Sequence, residues 1–184
     1  MAYKERESVK SIGNSTTTPR DLTCENDVKI IFYTLAENIA KRLRACELKG
    51  SVVAITIRDN DLSVIERQSK LASPTSTSEK IARQAMYLFN SHWHWGKNIR
   101  SLGIQVTDLI PADAGTQLSL FDQDKPETEK LEATLDKIRT RFGVESIQRC
   151  IMLTDQQLST FHDKNEPAAT KEKRPSTKSK DVNR

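Results

Sequence analysis

The spacing of apolar residues changes repeatedly along this chain, and each change marks an element. Residues 9–18, VKSIGNSTTT, are β-branched and hydroxyl-rich and run up to Pro19, which predicts a short strand. From Asp27 onward Val28, Phe32, Leu35, Ile39 and Leu43 recur at three- and four-residue steps, the signature of one helical face. Asn26 or Asp27 can cap its start, and Gly50 can end it in the left-handed conformation. SVVAITIRD (51–59) then alternates, with Val53, Ile55 and Ile57 on one side and Ala54, Thr56 and Arg58 on the other. That is a half-buried strand. NDL supplies a turn, and SVIERQSKL (63–71) returns as the hairpin partner; parity alone leaves open which of its faces is buried.

In ASPTSTSEK, Ser76 and Glu79 form a capping box for a second helix. Ile81, Ala85, Leu88, Phe89 and His92 line its apolar face through about residue 93. IRSLGIQVTDLIP (99–111) alternates again, burying Leu102, Ile104 and Val106 and turning Ser101, Gly103, Gln105 and Thr107 the other way. The order β-α-β-β-α-β is the split βαβ of ferredoxin-like folds, so the predicted class is α+β. Two amphipathic helices cover one face of a four-stranded sheet and leave the other open. Function is expected on the open face.

Beyond Phe121, Pro126 opens a further helix with Leu131, Leu135, Ile138 and Phe142 in register and Gly143 as its stop. VESIQRCIML continues as helix or strand. From His162 the chain lacks any apolar face and is expected to be disordered. The resulting plan is a linker (1–8), a domain (9–111), a second linker (112–126), a helical extension (127–161) and a basic tail (162–184).

Composition narrows the function classes. Lys and Arg number 29 against 25 Asp and Glu, a net charge of +4 that permits an anionic partner without requiring one. Aromatics make up only 5% of the 184 residues, so the core must be modest. No apolar run approaches the roughly 18 residues of a membrane helix, and MAYKERESVK has no apolar stretch of the secretory kind. Cys24, Cys46 and Cys150 form no CxxC pair, and their odd number argues for buried free thiols in a reducing cytoplasm. His92 and His94 flank Trp93 without a nearby cysteine or carboxylate, which reads as an aromatic helix end and a poor zinc signature.

The expected open face has cations in or beside its strands: Lys10, Arg20, Arg58, Arg67, Lys70, Lys97 and Arg100, interleaved with Ser and Thr. Hydroxyls, backbone amides and scattered guanidiniums are what phosphate contacts use. An ordinary solvated sheet face fits the same pattern. RNA-recognition modules share the element order but need stacking aromatics in the third strand, and SVIERQSKL has none. A small-molecule regulatory domain of this topology lacks its Gly-rich ligand loop. One stretch fits no element: QLSLF, Gln117 to Phe121, sets three large apolar residues between a proline-marked stop and a charged run. They are tolerated, buried locally, or kept for a partner.

VKSIGNSTTTPRDL, LKGSVVAITIRDNDLSVIERQ, KLASPTSTS and IRSLGIQVTDLIP together resemble the little-finger domain of Y-family translesion DNA polymerases of the DinB/UmuC type, in order and spacing. The similarity extends through QLSLF and LEATLDKIRTRFG and covers nearly everything from Lys4 to Leu153. It implies a ferredoxin-like βαββαβ domain whose sheet lies along the groove of primer-template DNA, largely on phosphates. Residue by residue it points to Lys10, Ser11, Asn14 and Thr16, to Arg58, to Arg67, Gln68 and Lys70, and to Arg100 and Ser101. It also reads QLSLF (Gln117, Leu118, Ser119, Leu120, Phe121) as the pentapeptide that docks on the sliding β-clamp. Leucine and phenylalanine would enter an apolar cleft while glutamine fixes orientation. QLSTF (157–161) is a near copy with Thr160 in place of the second leucine, and is taken as coincidence.

The resemblance implies a bacterial, cytoplasmic, nucleoid-associated protein of DNA repair, replication and the SOS response, monomeric and without a membrane partner. It also implies what this stretch does not contain. The family's two Mg²⁺ ions are held by palm carboxylates, including a Ser-x-Asp-Glu element, and this sequence has no Asp-Glu dipeptide. The expectation is a chain without palm, fingers or thumb, without catalytic or metal-binding residues or a cofactor of its own, and inactive as a polymerase. MAYKERES resembles the thumb-to-little-finger linker, which fits a C-terminal fragment, a truncated gene product or an expressed domain. The alternative is a ferredoxin-like RNA-binding or regulatory module unrelated to replication.

Overall fold

A computed structural model describes residues 9–114 and 126–159. Its first part is β1 (Ser11–Leu22), α1 (Glu25–Ala45), β2 (Leu48–Asp59), β3 (Val64–Thr75), α2 (Ser78–His92) and β4 (Ile99–Pro111). The sheet runs β1-β4-β2-β3, every neighbouring pair antiparallel. β1 and β2, joined through α1, are separated by β4; β3 and β4, joined through α2, are separated by β2. Both βαβ units are therefore split, and the two central strands carry the most apolar side chains. The predicted α+β order and its one-sided helix layer are what the structure contains.

The core lies between sheet and helices. Val53, Ile55 and Ile57 of β2 and Leu102, Ile104 and Val106 of β4 are buried against Ile31, Phe32, Leu35 and Ile39 of α1 and Ile81, Ala85 and Phe89 of α2. Phe89 meets Phe32 edge-on and stacks on Trp93, where α2 ends.

Several local expectations gave way to tertiary forces. β1 continues through Pro19 to Leu22, because β1 is an edge strand and its pairing with β4 shifts between Thr17 and Leu22, where no ladder N–H is required of proline. Neither Asn26 nor Asp27 caps α1; Cys24 holds the cap position, and Asp27 instead accepts from Arg20 at 2.6 Å. Gly50 does not end α1. Glu47 takes the left-handed backbone (φ 55°), and Gly50 lies inside β2, where a Cβ would come within 2.0 Å of Val106 Cγ1. His92 is exposed, its ring nitrogen 2.9 Å from the Leu88 carbonyl, while Trp93 turns inward. The three cysteines are free but exposed rather than buried, since Cys24 and Cys46 sit at the ends of α1 and Cys150 opens a surface turn.

The second part is α3 (Pro126–Phe142), two 3₁₀ turns (Val144–Ser146 and Cys150–Leu153) and a short α4 (Gln156–Ser159). It straps across the outside of the helical layer. VESIQRCIML is neither a continuous helix nor a strand: its turns lead to Met152 and Leu158, both buried, with Leu158 in the main core. Leu158 belongs to the QLSTF copy, so this leucine is a structural anchor.

α3 docks by its charges. Glu132, 4% exposed, accepts from Ser78 N–H at 2.9 and 3.0 Å, from Ser78 Oγ at 2.7 Å, and from the Arg44 guanidinium. It thereby caps α2 from another element. The predicted box is absent: Ser76 is not the cap, and Glu79 takes Tyr33, Arg83 and Arg149 instead. Asp136 pairs with Arg44, Arg139 and Arg149 pair with Glu37, and Glu129 pairs with Lys49. Burial pushes the Glu37 carboxyl up, against the pull of Arg139 and Arg149.

Candidate nucleic-acid interface

Residues opposite one another across an antiparallel ladder share a face, so the register sorts every strand residue. The core faces of β2 and β4 are known from burial. Their other sides therefore carry Val52, Ala54, Thr56 and Arg58, and Ser101, Gly103, Gln105 and Thr107. Ser11, Gly13, Ser15 and Thr17 of β1 lie opposite Thr107, Gln105, Gly103 and Ser101 and join them. Val64, Glu66, Gln68 and Lys70 of β3 lie opposite Arg58, Thr56, Ala54 and Val52. Of all these residues only Gly103 is buried, beneath Ser15 and Thr56. No described helix or turn packs on this side. The result is a floor of small and hydroxyl-bearing residues with Arg58 and Lys70 as its cations and Glu66 as its one carboxylate.

The predicted contact residues do not all reach this floor. Ser11, Arg58, Gln68, Lys70 and Ser101 lie on it, with Ser11 Oγ accepting from Gln105 at 3.0 Å and Ser101 Oγ donating to the Thr16 carbonyl at 2.9 Å. Asn14 and Thr16 share the side of Ile104 and Leu102, on the helix face at the edge of the sheet. Arg67 lies opposite Ile55, also on the helix side, and donates to its neighbour's carbonyl. Lys10 is exposed just ahead of β1. Arg100 is the extra residue of a bulge, since Arg58 faces Ser101 and Asp59 faces Ile99; it pairs with Asp21 at 3.1 Å.

Two more of the strand-associated cations are likewise committed to carboxylates. Arg20 holds Asp27 and Asp155, and Lys97 holds Asp59 and Asp61. The pairing with Asp27 and Asp155 raises the Arg20 pKa further above its ordinary value. Beside Thr56, Gly103, Gln105 and Thr107, which the alternation of β2 and β4 places on this side, three β1 residues not singled out from the sequence complete the floor: Gly13, Ser15 and Thr17. A signal for them existed. Ile12 is the one large apolar residue in the first half of β1, and it assigns the even positions to the core. Gln117, Leu118, Ser119, Leu120 and Phe121 lie outside the described residues.

A hydroxyl-rich surface with two separated cations suits an extended polyanion better than a compact charged ligand. Residues 9–120 match the sequence family described as impB/mucB/samB family C-terminal domain. The chain belongs to this family. Its relatives include the DNA polymerase IV of Acetivibrio thermocellus, 46% identical over 153 residues, which are 82% of this chain and 38% of that protein. The DNA polymerase IV of Pelotomaculum thermopropionicum is 33% identical over 148 residues, 80% of this chain and 36% of that one. This member of the family thus spans less than two-fifths of the length of these curated relatives. A solved chain described as the complex of beta-clamp processivity factor and little finger domain of PolIV covers 60% of this chain at 18% identity and a TM-score of 0.47, too distant to carry weight. No helix among the described residues is long and apolar enough to cross a membrane.

Proposed function

We propose that this chain is the non-catalytic, DNA-binding and clamp-docking part of a translesion DNA polymerase, acting in lesion bypass. The observation that carries the reading is the uncovered sheet face. Helices and strap occupy one side of the sheet, and the other presents hydroxyls, glycines, Arg58 and Lys70 over four strands. Such a floor lets a sugar-phosphate backbone approach closely and gives it donors without reading bases. None of the residues on this face is aromatic, which disfavours an RNA-stacking role. Relatives bearing the name DNA polymerase IV support the same reading. In the complete enzyme Mg²⁺ would belong to the palm.

QLSLF is the proposed clamp contact, on its sequence alone. A fluorescence titration with duplex DNA, single-stranded RNA and isolated β-clamp tests both halves. Duplex DNA binds weakly, with little sequence preference and a steep loss on adding salt. Leu120→Ala with Phe121→Ala abolishes clamp binding and leaves DNA binding intact. Preference for single-stranded RNA, or normal clamp binding by the double variant, overturns the corresponding half.

A further inference from the structure

α3 lies on its own domain with charges inward, and that leaves the two ends of its apolar stripe exposed. Glu129, Glu132, Asp136 and Arg139 form the docked face. At 3.6 residues per turn, Leu131, Leu135, Ile138 and Phe142 centre about a quarter-turn away. None of the four is buried: Leu131 is 58% and Phe142 65% exposed, and Leu135 and Ile138 are half-buried. Beyond them round the helix, Lys130, Lys137 and Arg141 are exposed and make no ion pair among the described residues. Exposed apolar residues at helical spacing are a contact surface. Their cationic border asks for a partner strip edged with carboxylates. An antiparallel second copy would set like charges side by side. Insertion in a bilayer is opposed by the half-covered Leu135 and Ile138 and by the charges that pin the helix.

We propose that this stripe is a second contact for the same clamp that takes the pentapeptide; the inference rests on the clamp-docking reading above. Leu131 follows Phe121 by ten residues. A linker of four residues spans at most about 14 Å and the first helical residues add about 8 Å, so a captured clamp lies within roughly 20 Å of the stripe. Tethers this short give effective concentrations in the millimolar range, at which an intrinsically weak apolar contact is occupied.

The test compares clamp binding by the whole chain, by its Leu131→Glu/Phe142→Glu variant, and by a synthetic peptide spanning residues 113–125. Both substituted residues are exposed, so the thermal melt stays unchanged. The double variant is expected to lose about tenfold in clamp affinity, mostly through faster dissociation. Duplex DNA binding and binding to vesicles of phosphatidylglycerol and phosphatidylcholine are expected not to change. If the peptide binds and the double variant matches the parent, this proposal falls alone. It also falls if DNA or vesicle binding responds to the substitutions while clamp binding does not. If the peptide does not bind, the docking reading and this proposal fall together.

Discussion

The two sides of the one sheet follow opposite rules. Toward the helices, β2 and β4 present Val53, Ile55, Ile57, Leu102, Ile104 and Val106, all buried under two helices and then a strap. Away from them the same strands present Ala54, Thr56, Arg58, Ser101 and Gln105 toward water. Burial on the first side makes the domain stable. The second side adds little to stability, which leaves it free to be chosen for what it touches. Substitutions that separate stability from binding test this division directly.

The largest effect belongs to the interior. Phe89 is 1% exposed, with Phe32, Trp93 and Trp95 around its ring. Phe89→Ala is expected to cost about 3–5 kcal/mol in urea unfolding, whereas Thr56→Ala stays within about 0.5 kcal/mol. Similar losses from both would end the distinction between the faces. Next comes the strap. Glu132→Ala leaves Ser78 N–H and part of Arg44 without their acceptor, at a cost of about 1–3 kcal/mol. Asp136 still holds Arg44, which keeps the figure below that for an orphaned buried charge. Amide exchange in α3 reads the loss; unchanged protection there would show that Glu132 does not hold the strap.

On the open side the effect is electrostatic and smaller. Lys70→Ala is expected to reduce the dependence of log Kobs for duplex DNA on log salt by about 0.9, one phosphate contact. Arg67→Ala, three positions earlier but on the helix side, leaves the slope alone. An equal change from both would mean that the register does not sort the contacts.

Much of this division was legible in the sequence. Alternation in 51–59 and 99–111 assigned both central strands and their faces, because a central strand buried on one side must alternate. Edge strands carry a weaker signal. β1 offers only Ile12 before Thr18, and β3 sets Val64 and Ile65 on opposite faces with Leu71 six residues on, so Asn14, Thr16 and Arg67 were grouped with residues that face the other way. α3 misleads for a different reason. Its Leu131, Leu135, Ile138 and Phe142 read as the buried stripe, yet the helix docks through Glu132 and Asp136, whose partners Arg44 and Ser78 lie far away in sequence. Periodicity reports which face is apolar and is silent on whether a distant guanidinium and a bare helix N-terminus will claim the other one.

The finest test concerns the end of the strap, where pH separates two carboxylates. Asp155 accepts from Arg20 at 2.9 Å and from the backbone N–H groups of Gln157 and Leu158, fixing α4 against the core. The Arg20 hydrogen bond, aided by the Leu158 N–H and opposed by slight desolvation, holds its carboxyl below the ordinary value of 3.8. A depressed pKa means that the folded state favours the ionised form. The contribution is therefore complete above the ordinary value and disappears as pH falls through the lower folded one. Glu37 runs the other way: burial raises its pKa, so its protonation favours the folded state and its contribution is lost as pH rises. Acid release of α4 must then come from Asp155 rather than Glu37. Protection of the Leu158 amide should hold from pH 7 down to about 4 and decline below it, and Asp155→Asn should flatten that decline. A decline already complete at pH 5 would assign the latch to another group.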